Sequence, residues 1–242
     1  MQFIASIATL PDHELHAALR DIPLPAFEAA MRGHAAASRK ARLRHSSGFD
    51  IANFDDITVS LAVSDEDLEV ADELVRVQYD ARGYFQTREQ SHAASRRRAL
   101  PVIAWLDGRP MGTATLGIDS EAGLMVDEAN RRYVDLSRAY RRRAGEVVRL
   151  ATADRSGAKL VLPALFGALH TMMVIHDLVD VFIEVNPRHV SFYERALCFA
   201  VAGPEQICPR VGAPSVLLRM RVADLTHKIR TLQHEVAEFP LH

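Results

Sequence analysis

The sequence predicts a mixed α/β fold, a central sheet flanked by helices, on three observations. Short runs rich in β-branched residues alternate with longer stretches whose apolar residues recur at helical spacing. An Asp-Gly pair separates two apolar runs in the manner of a hairpin. A third apolar run, DVFIEV, stops at Asn186-Pro187 and restarts at once as a helix. Proline fixes its own φ and pushes the preceding residue out of the α region, so Asn186 is expected to end a strand and cap a helix with Pro187 in its first position.

Residues 1–55 are expected to form a helical appendage: LPDHELHAALRDI and AFEAAMRGHAAASRKARLRH carry helical spacing, and SSGFD breaks it. About 50 residues bury little apolar surface alone, so the appendage is expected to pack on a main domain spanning 56–242. ITVSLAV alternates as a half-buried strand, and Ser64 with Asp67 forms a capping signature ahead of Leu68, Ala71, Leu74, Val75 and Gln78 at helical spacing. PVIAWL and MGTATLGI form the hairpin around Asp107-Gly108. RRYVDLSRAYRRR is expected to be a helix with a basic exposed face. GEVVRLATA is a strand, DRSGAK a loop, and a long helix follows with Pro163 in its first turn. VDVFIEV is a buried strand, PSVLLRMRV a late strand, and ADLTHKIRTLQHEVAEF a closing amphipathic helix.

Composition narrows the function classes. At 242 residues, 48% hydrophobic and 25% charged, the chain belongs with soluble globular proteins. Its net charge of -2 argues against general nucleic-acid binding. No basic region precedes the apolar start, no apolar run reaches the ~18 residues of a membrane span, and there are two cysteines, so the cytoplasm is the expected compartment. His170 and His176 are six apart, on different faces of a helix, and no metal-ligand spacing occurs, so no metal is expected.

The order strand, helix, hairpin, strand, loop, long helix, strand, short helix, strand resembles the acyltransferase fold of the GNAT superfamily. In that fold two central strands splay apart and an acyl thioester lies between them, here GEVVRLATA and VDVFIEV. More narrowly, EVVRLATAD, the stretch from LFGALH through NPRH and FYERALCF, and ICPRVGAPSVLLRM are similar to the long-chain N-acyl amino acid synthases, relatives of the acyl-homoserine lactone synthases. The resemblance covers about residues 57–225. It implies an enzyme that transfers a medium- or long-chain acyl group from acyl carrier protein to the amino group of an amino acid. The donor would be acyl-phosphopantetheine and no resident cofactor would be needed. A lactone synthase using S-adenosylmethionine, or another GNAT N-acyltransferase using a different amine, keeps the fold with a different nucleophile, and a catalytically silent acyl- or carrier-binding module is the alternative from another class.

Acyl transfer to an amine needs a proton acceptor for the ammonium and a proton donor for the departing thiolate. Glu146 resembles the Glu of the E-x-x-R pattern in carrier-protein-using relatives, which implies a general base, and Tyr193 matches the tyrosine that protonates the thiolate in many GNAT enzymes. A strand-edge ion pair for Glu146 and core packing for Tyr193 stand beside those roles. Arg149, three residues after Glu146, points to the opposite face unless a bulge intervenes. It is expected either to bind the amino acid carboxylate or to pair with Asp127, Glu128 or Asp135. Asn186 and His189 are expected to line the cleft. Arg155, Ser156 and Gly157 stand where CoA users of the resembled fold carry a glycine-rich pyrophosphate loop; one glycine here suits a single phosphodiester, or an ordinary β-to-α turn. Phe166 and Leu169 are expected to line the acyl groove or simply the core. Arg97 and the run Arg141, Arg142 and Arg143 are expected to dock the acidic carrier protein, or to form a solvated basic face.

Overall fold

In the computed structural model the described residues are 49–54, 57–84, 98–153 and 155–238. Side chains of 49–54, 155–160 and 232–238 are outside that description, as are Arg97 and the expected helices of the first 48 residues. One eight-stranded sheet runs in the order β1-β2-β3-β4-β5-β6-β8-β7. The strands are β1 (Phe49–Phe54), β2 (Ile57–Leu61), β3 (Arg98–Leu106), β4 (Arg109–Ile118), β5 (Ala144–Thr152), β6 (Asp180–Val185), β7 (Ala200–Cys208) and β8 (Ala213–Arg221). Every neighbouring pair is antiparallel except β5 and β6. The helices are α1 (Asp65–Asp80), α2 (Asp127–Ala139), α3 (Arg155–Ile175), α4 (Val190–Leu197) and α5 (Val222–Glu238). No helix among the described residues is long and apolar enough to cross a membrane.

Strand alternation sorts the core into two layers. Val102, Ala104, Leu116, Val147, Val181 and Ile183 point to α3, α4 and α5 in the larger cluster. Their neighbours point the other way, Ile103 to α1 and Phe182 to α2. α1 starts where expected: the Ser64 hydroxyl accepts from the Asp67 amide at 3.1 Å and the Asp67 carboxylate accepts from the Ser64 amide at 3.4 Å. Its buried polar residue, Gln78, donates to the Ala153 carbonyl at 3.3 Å and so ties α1 to the end of β5. The β3–β4 turn places Asp107 at φ 51 and Gly108 at φ 72, the two positive angles of a type I′ hairpin.

Four elements depart from expectation. The sheet begins at Phe49, so SSGFD is not only a break. β7 is a strand where none is expected; it lies at the sheet edge, interrupted between Val201 and Glu205, with Pro204 exposed in the irregular part. α3 begins already at Arg155, so DRSGAK is mostly helix and Pro163 is interior. α2 ends at Ala139, leaving Arg141, Arg142 and Arg143 beyond it. Within α2, Arg138 turns its charge to Asp119, Asp127 and Asp135, each at 2.7 Å, so the helix is less free a cation than its sequence suggests. Burial would raise the Asp127 carboxyl, but the Arg138 hydrogen bonds and the Leu124 amide hold it below the ordinary value.

Candidate active site at the strand splay

The parallel ladder of β5 and β6 is short. It runs from Ala144 opposite Asp180 to Val147 opposite Ile183 and stops. Beyond that point β5 continues against β4 as far as Thr152, and β6 continues against β8 as far as Val185. A gap therefore opens in the middle of the sheet, bordered by residues 148–152 and 184–185.

A bulge stands at the mouth of the gap. Val148 faces Thr115 and Ala151 faces Thr113, so Arg149 and Leu150 together oppose Ala114. Arg149 has φ 57, a left-handed angle uncommon for a residue with a Cβ. The bulge carries Arg149 to the face covered by α1, where its guanidinium meets Asp72 at 2.5 Å. None of the three acids expected as its partner is the one found.

Glu146 lies on the same face but before the gap, within the paired part of β5. It is 2% exposed, and its two oxygens accept from the backbone amides of Met125 at 2.7 Å and Val126 at 2.9 Å. Gly117 makes room for it: a Cβ there would meet the Glu146 Cγ at 2.7 Å. The carboxylate thereby fastens the loop ahead of α2 to the sheet, a use that the E-x-x-R pattern does not announce.

The acid that stands at the gap itself is Glu184, near the end of β6. Its Oε1 accepts from the Asn130 amide group at 2.9 Å, and its Oε2 pairs with Arg210, in the turn between β7 and β8. Arg210 also donates to the Met125 carbonyl at 2.5 Å and approaches Glu128 at 3.4 Å. Gln206 donates to Asn130 at 2.8 Å. Burial pushes the Glu184 carboxyl above its ordinary value, and Arg210 offsets only part of that. This group was missed at the level of sequence. The available signals were a Glu inside the apolar strand DVFIEV and the Arg of ICPR.

Tyr193 approaches from the opposite face. It is buried in α4, edge-on to Phe166, Phe192 and Phe199 at centroid distances of 6.1, 5.4 and 5.9 Å. Burial pushes its phenol well above the ordinary value, and Tyr79 of α1 adds to the shift. Burial likewise raises Tyr79, against the pull of Arg149, Arg210 and Arg82.

Asn186 caps the corner as expected, its side-chain oxygen accepting from the Arg188 amide at 3.2 Å, with Pro187–His189 forming a short 3-10 helix before α4. His189 is half-buried in that turn. Phe166 and Leu169 are both fully enclosed in the core, and Phe166 stands beside Tyr193. The backbone of Arg155, Ser156 and Gly157 forms the first turn of α3; their side chains lie outside the description. Arg141, Arg142 and Arg143 precede β5, at the strand end opposite the gap. At about 3.3 Å per residue they are roughly 15–20 Å from it along the strand. Arg142 also approaches Asp180 at 3.5 Å and Arg143 approaches Asp177 at 3.6 Å. The run is therefore not beside the gap, whereas exposed Arg188 stands at the corner ending β6.

A sheet opened between two parallel strands, with helices on both faces, has the GNAT-like acyltransferase fold that the order of elements predicts. Residues 71–221 match the family model described as N-acyl amino acid synthase FeeM. The chain belongs to that family, and it is an N-acyltransferase. Among solved structures it is similar to FeeM, an N-acyl amino acid synthase from uncultured soil microbes, with TM-score 0.67 and 21% identity over 74% of this chain and 97% of that one. It is also similar to the AHL synthase LasI, with TM-score 0.52 and 17% identity over 69% of this chain and 90% of that one. Escherichia coli ElaA gives TM-score 0.51 and 11% identity over 68% of this chain and 99% of that one. A comparison with curated protein sequences finds no match.

The geometry makes a direct prediction for Glu146. Glu146→Gln turns an amide group toward one of two buried N–H donors, so unfolding stability should fall by about 2 kcal/mol, read from urea titration. An unchanged urea midpoint with kcat abolished would restore the general-base role.

Proposed function

We propose that this enzyme moves a medium- or long-chain acyl group from the phosphopantetheine thioester of acyl carrier protein to the amino group of an amino acid. The observation that carries the proposal is the gap between β5 and β6, with an acid and two arginines on one face and a buried tyrosine on the other. The amine attacks the thioester carbonyl carbon from the α1 and α2 side, and the sulfur departs toward α4. An open strand edge at 148–152 offers backbone groups to a pantetheine arm as a third strand would.

Tyr193 donates its proton to the departing sulfur. Burial keeps the phenol protonated across the working pH range, so the donor form is always present. A carrier-protein donor is supported by the first turn of α3, whose Arg155-Ser156-Gly157 lacks the repeated glycines that wrap a pyrophosphate. Apolar Phe166 next to Tyr193 suits a fatty acyl chain at the thioester end.

Three measurements test this assignment. Purified enzyme is incubated with palmitoyl and shorter acyl carrier proteins and the twenty amino acids, with acyl-CoA in parallel, and products are read by mass spectrometry. An N-acyl amino acid in the carrier-protein arm is expected; product from acyl-CoA alone would overturn the donor, and no product in either arm would overturn the reaction. Tyr193→Phe should lower kcat at least tenfold with carrier-protein binding intact, and an unchanged kcat would return Tyr193 to packing alone. Arg188→Glu should raise the apparent KM for acyl carrier protein several-fold at low salt, while the paired reversal of Arg141 and Arg143 should not. The reverse pattern would move docking to the far end of β5.

A further inference from the structure

Glu184 and Arg210 are the most deeply buried oppositely charged pair at the gap, with side chains 6% and 11% exposed. They come from different elements, and each is held by neutral groups that fix its direction: Asn130 on Glu184 and the Met125 carbonyl on Arg210. A buried ion pair of this kind contributes little net stability, because desolvation cancels most of the attraction. What it provides is a matched positive and negative charge at fixed spacing. An α-amino acid is the complementary object, a carboxylate and an ammonium on one carbon.

We propose that Glu184 and Arg210 together read the amino acid acceptor, Arg210 taking its carboxylate and Glu184 its ammonium. The inference rests on the acyl transfer proposed above and assigns its recognition and proton-accepting residues. In the resting site each side chain satisfies the other. The zwitterion inserts and replaces one ion pair with two, so no buried charge is left uncompensated at either stage. Glu128 and Cys208 flank the pair, from α2 and the end of β7. An amine without the carboxylate would separate the pair and leave Arg210 facing a neutral group, which a site of this kind rejects strongly.

The proton balance follows. The ammonium gives one proton to Glu184, and the freed lone pair forms the C–N bond to the thioester carbonyl carbon. The C–S bond then breaks, its electron pair leaving with sulfur, which takes a proton through Tyr193. The second proton lost by nitrogen makes good that donation, and the first passes from Glu184 to solvent. The products are amide, thiol and one proton. Burial that raises the Glu184 carboxyl makes it a better proton acceptor, provided it is ionised. The acid limb of the pH–kcat/KM profile, which reports the free enzyme, should therefore lie above the ordinary carboxylate range.

The experiment compares the preferred amino acid with its carboxamide in the parent, Arg210→Gln, Arg210→Lys and Glu184→Gln enzymes, with folding checked by circular dichroism. The parent should prefer the acid by at least a hundredfold in kcat/KM. Arg210→Gln should remove that preference chiefly through KM for the acid, and Arg210→Lys, which keeps the charge and the fold, should restore part of it. Glu184→Gln should lower kcat at least tenfold and abolish the acid limb. A folded Arg210→Lys or Arg210→Gln enzyme that keeps the full preference overturns the inference while leaving acyl transfer standing, as does a Glu184→Gln enzyme with the parent's pH profile. A parent that acylates no amino acid overturns both.

Discussion

Everything at this site depends on the short parallel ladder between β5 and β6. A parallel pair buried in the middle of a sheet normally runs the length of its strands, because each lost rung leaves a backbone donor and acceptor unpaired. Here the ladder ends after Val147, and the bulge at Arg149 is the local cause. An extra residue bends β5 and increases its twist, so the strand leaves β6 while keeping β4. The left-handed φ of Arg149 is part of that bend, and its ion pair with Asp72 of α1 stands on the outer side of it.

The gap lies between two faces of the sheet that are lined differently. α1 and α2 bring charged and hydrogen-bonding groups to one side, while α3 and α4 bring aromatic and aliphatic ones to the other. That division matches the chemistry of a charged amine meeting a fatty thioester. Glu146 supports the polar side from a distance. It holds the amides of Met125 and Val126, and the Met125 carbonyl in turn positions Arg210. One loop thus links the acid of the E-x-x-R pattern to the Glu184 pair without Glu146 reaching the gap.

Much of the scaffold was legible in the residues because it rests on local rules. The Ser64–Asp67 capping box, the Asp107-Gly108 hairpin and the Asn186-Pro187 corner each follow from what a few neighbouring residues allow their backbone to do. β7 was not legible: AVAGPEQIC does not alternate and contains a proline, and only its place at the sheet edge, beside β8, makes it a strand. The arginines after α2 looked like part of one basic helix because charge runs continue smoothly through Tyr140. The helix nonetheless stops at Ala139, and Arg141 takes a left-handed angle beyond it.

The sequence alone determined the α/β class, the order of elements apart from β1 and β7, and the family resemblance, because periodicity, turn residues and short motifs act over a few neighbouring positions. Tertiary structure decided which acid stands at the gap. Glu146 and Glu184 are equally plausible as letters in apolar strands, and a difference of two rungs relative to the end of the β5–β6 ladder separates a buried clasp from an acid at the opening. Partners were decided in the same way. Arg149 meets Asp72, and Arg210 meets Glu184, across sequence separations of 77 and 26 residues. No local rule spans such distances; only the packing of α1, α2 and the β7–β8 turn around one opening brings those charges together.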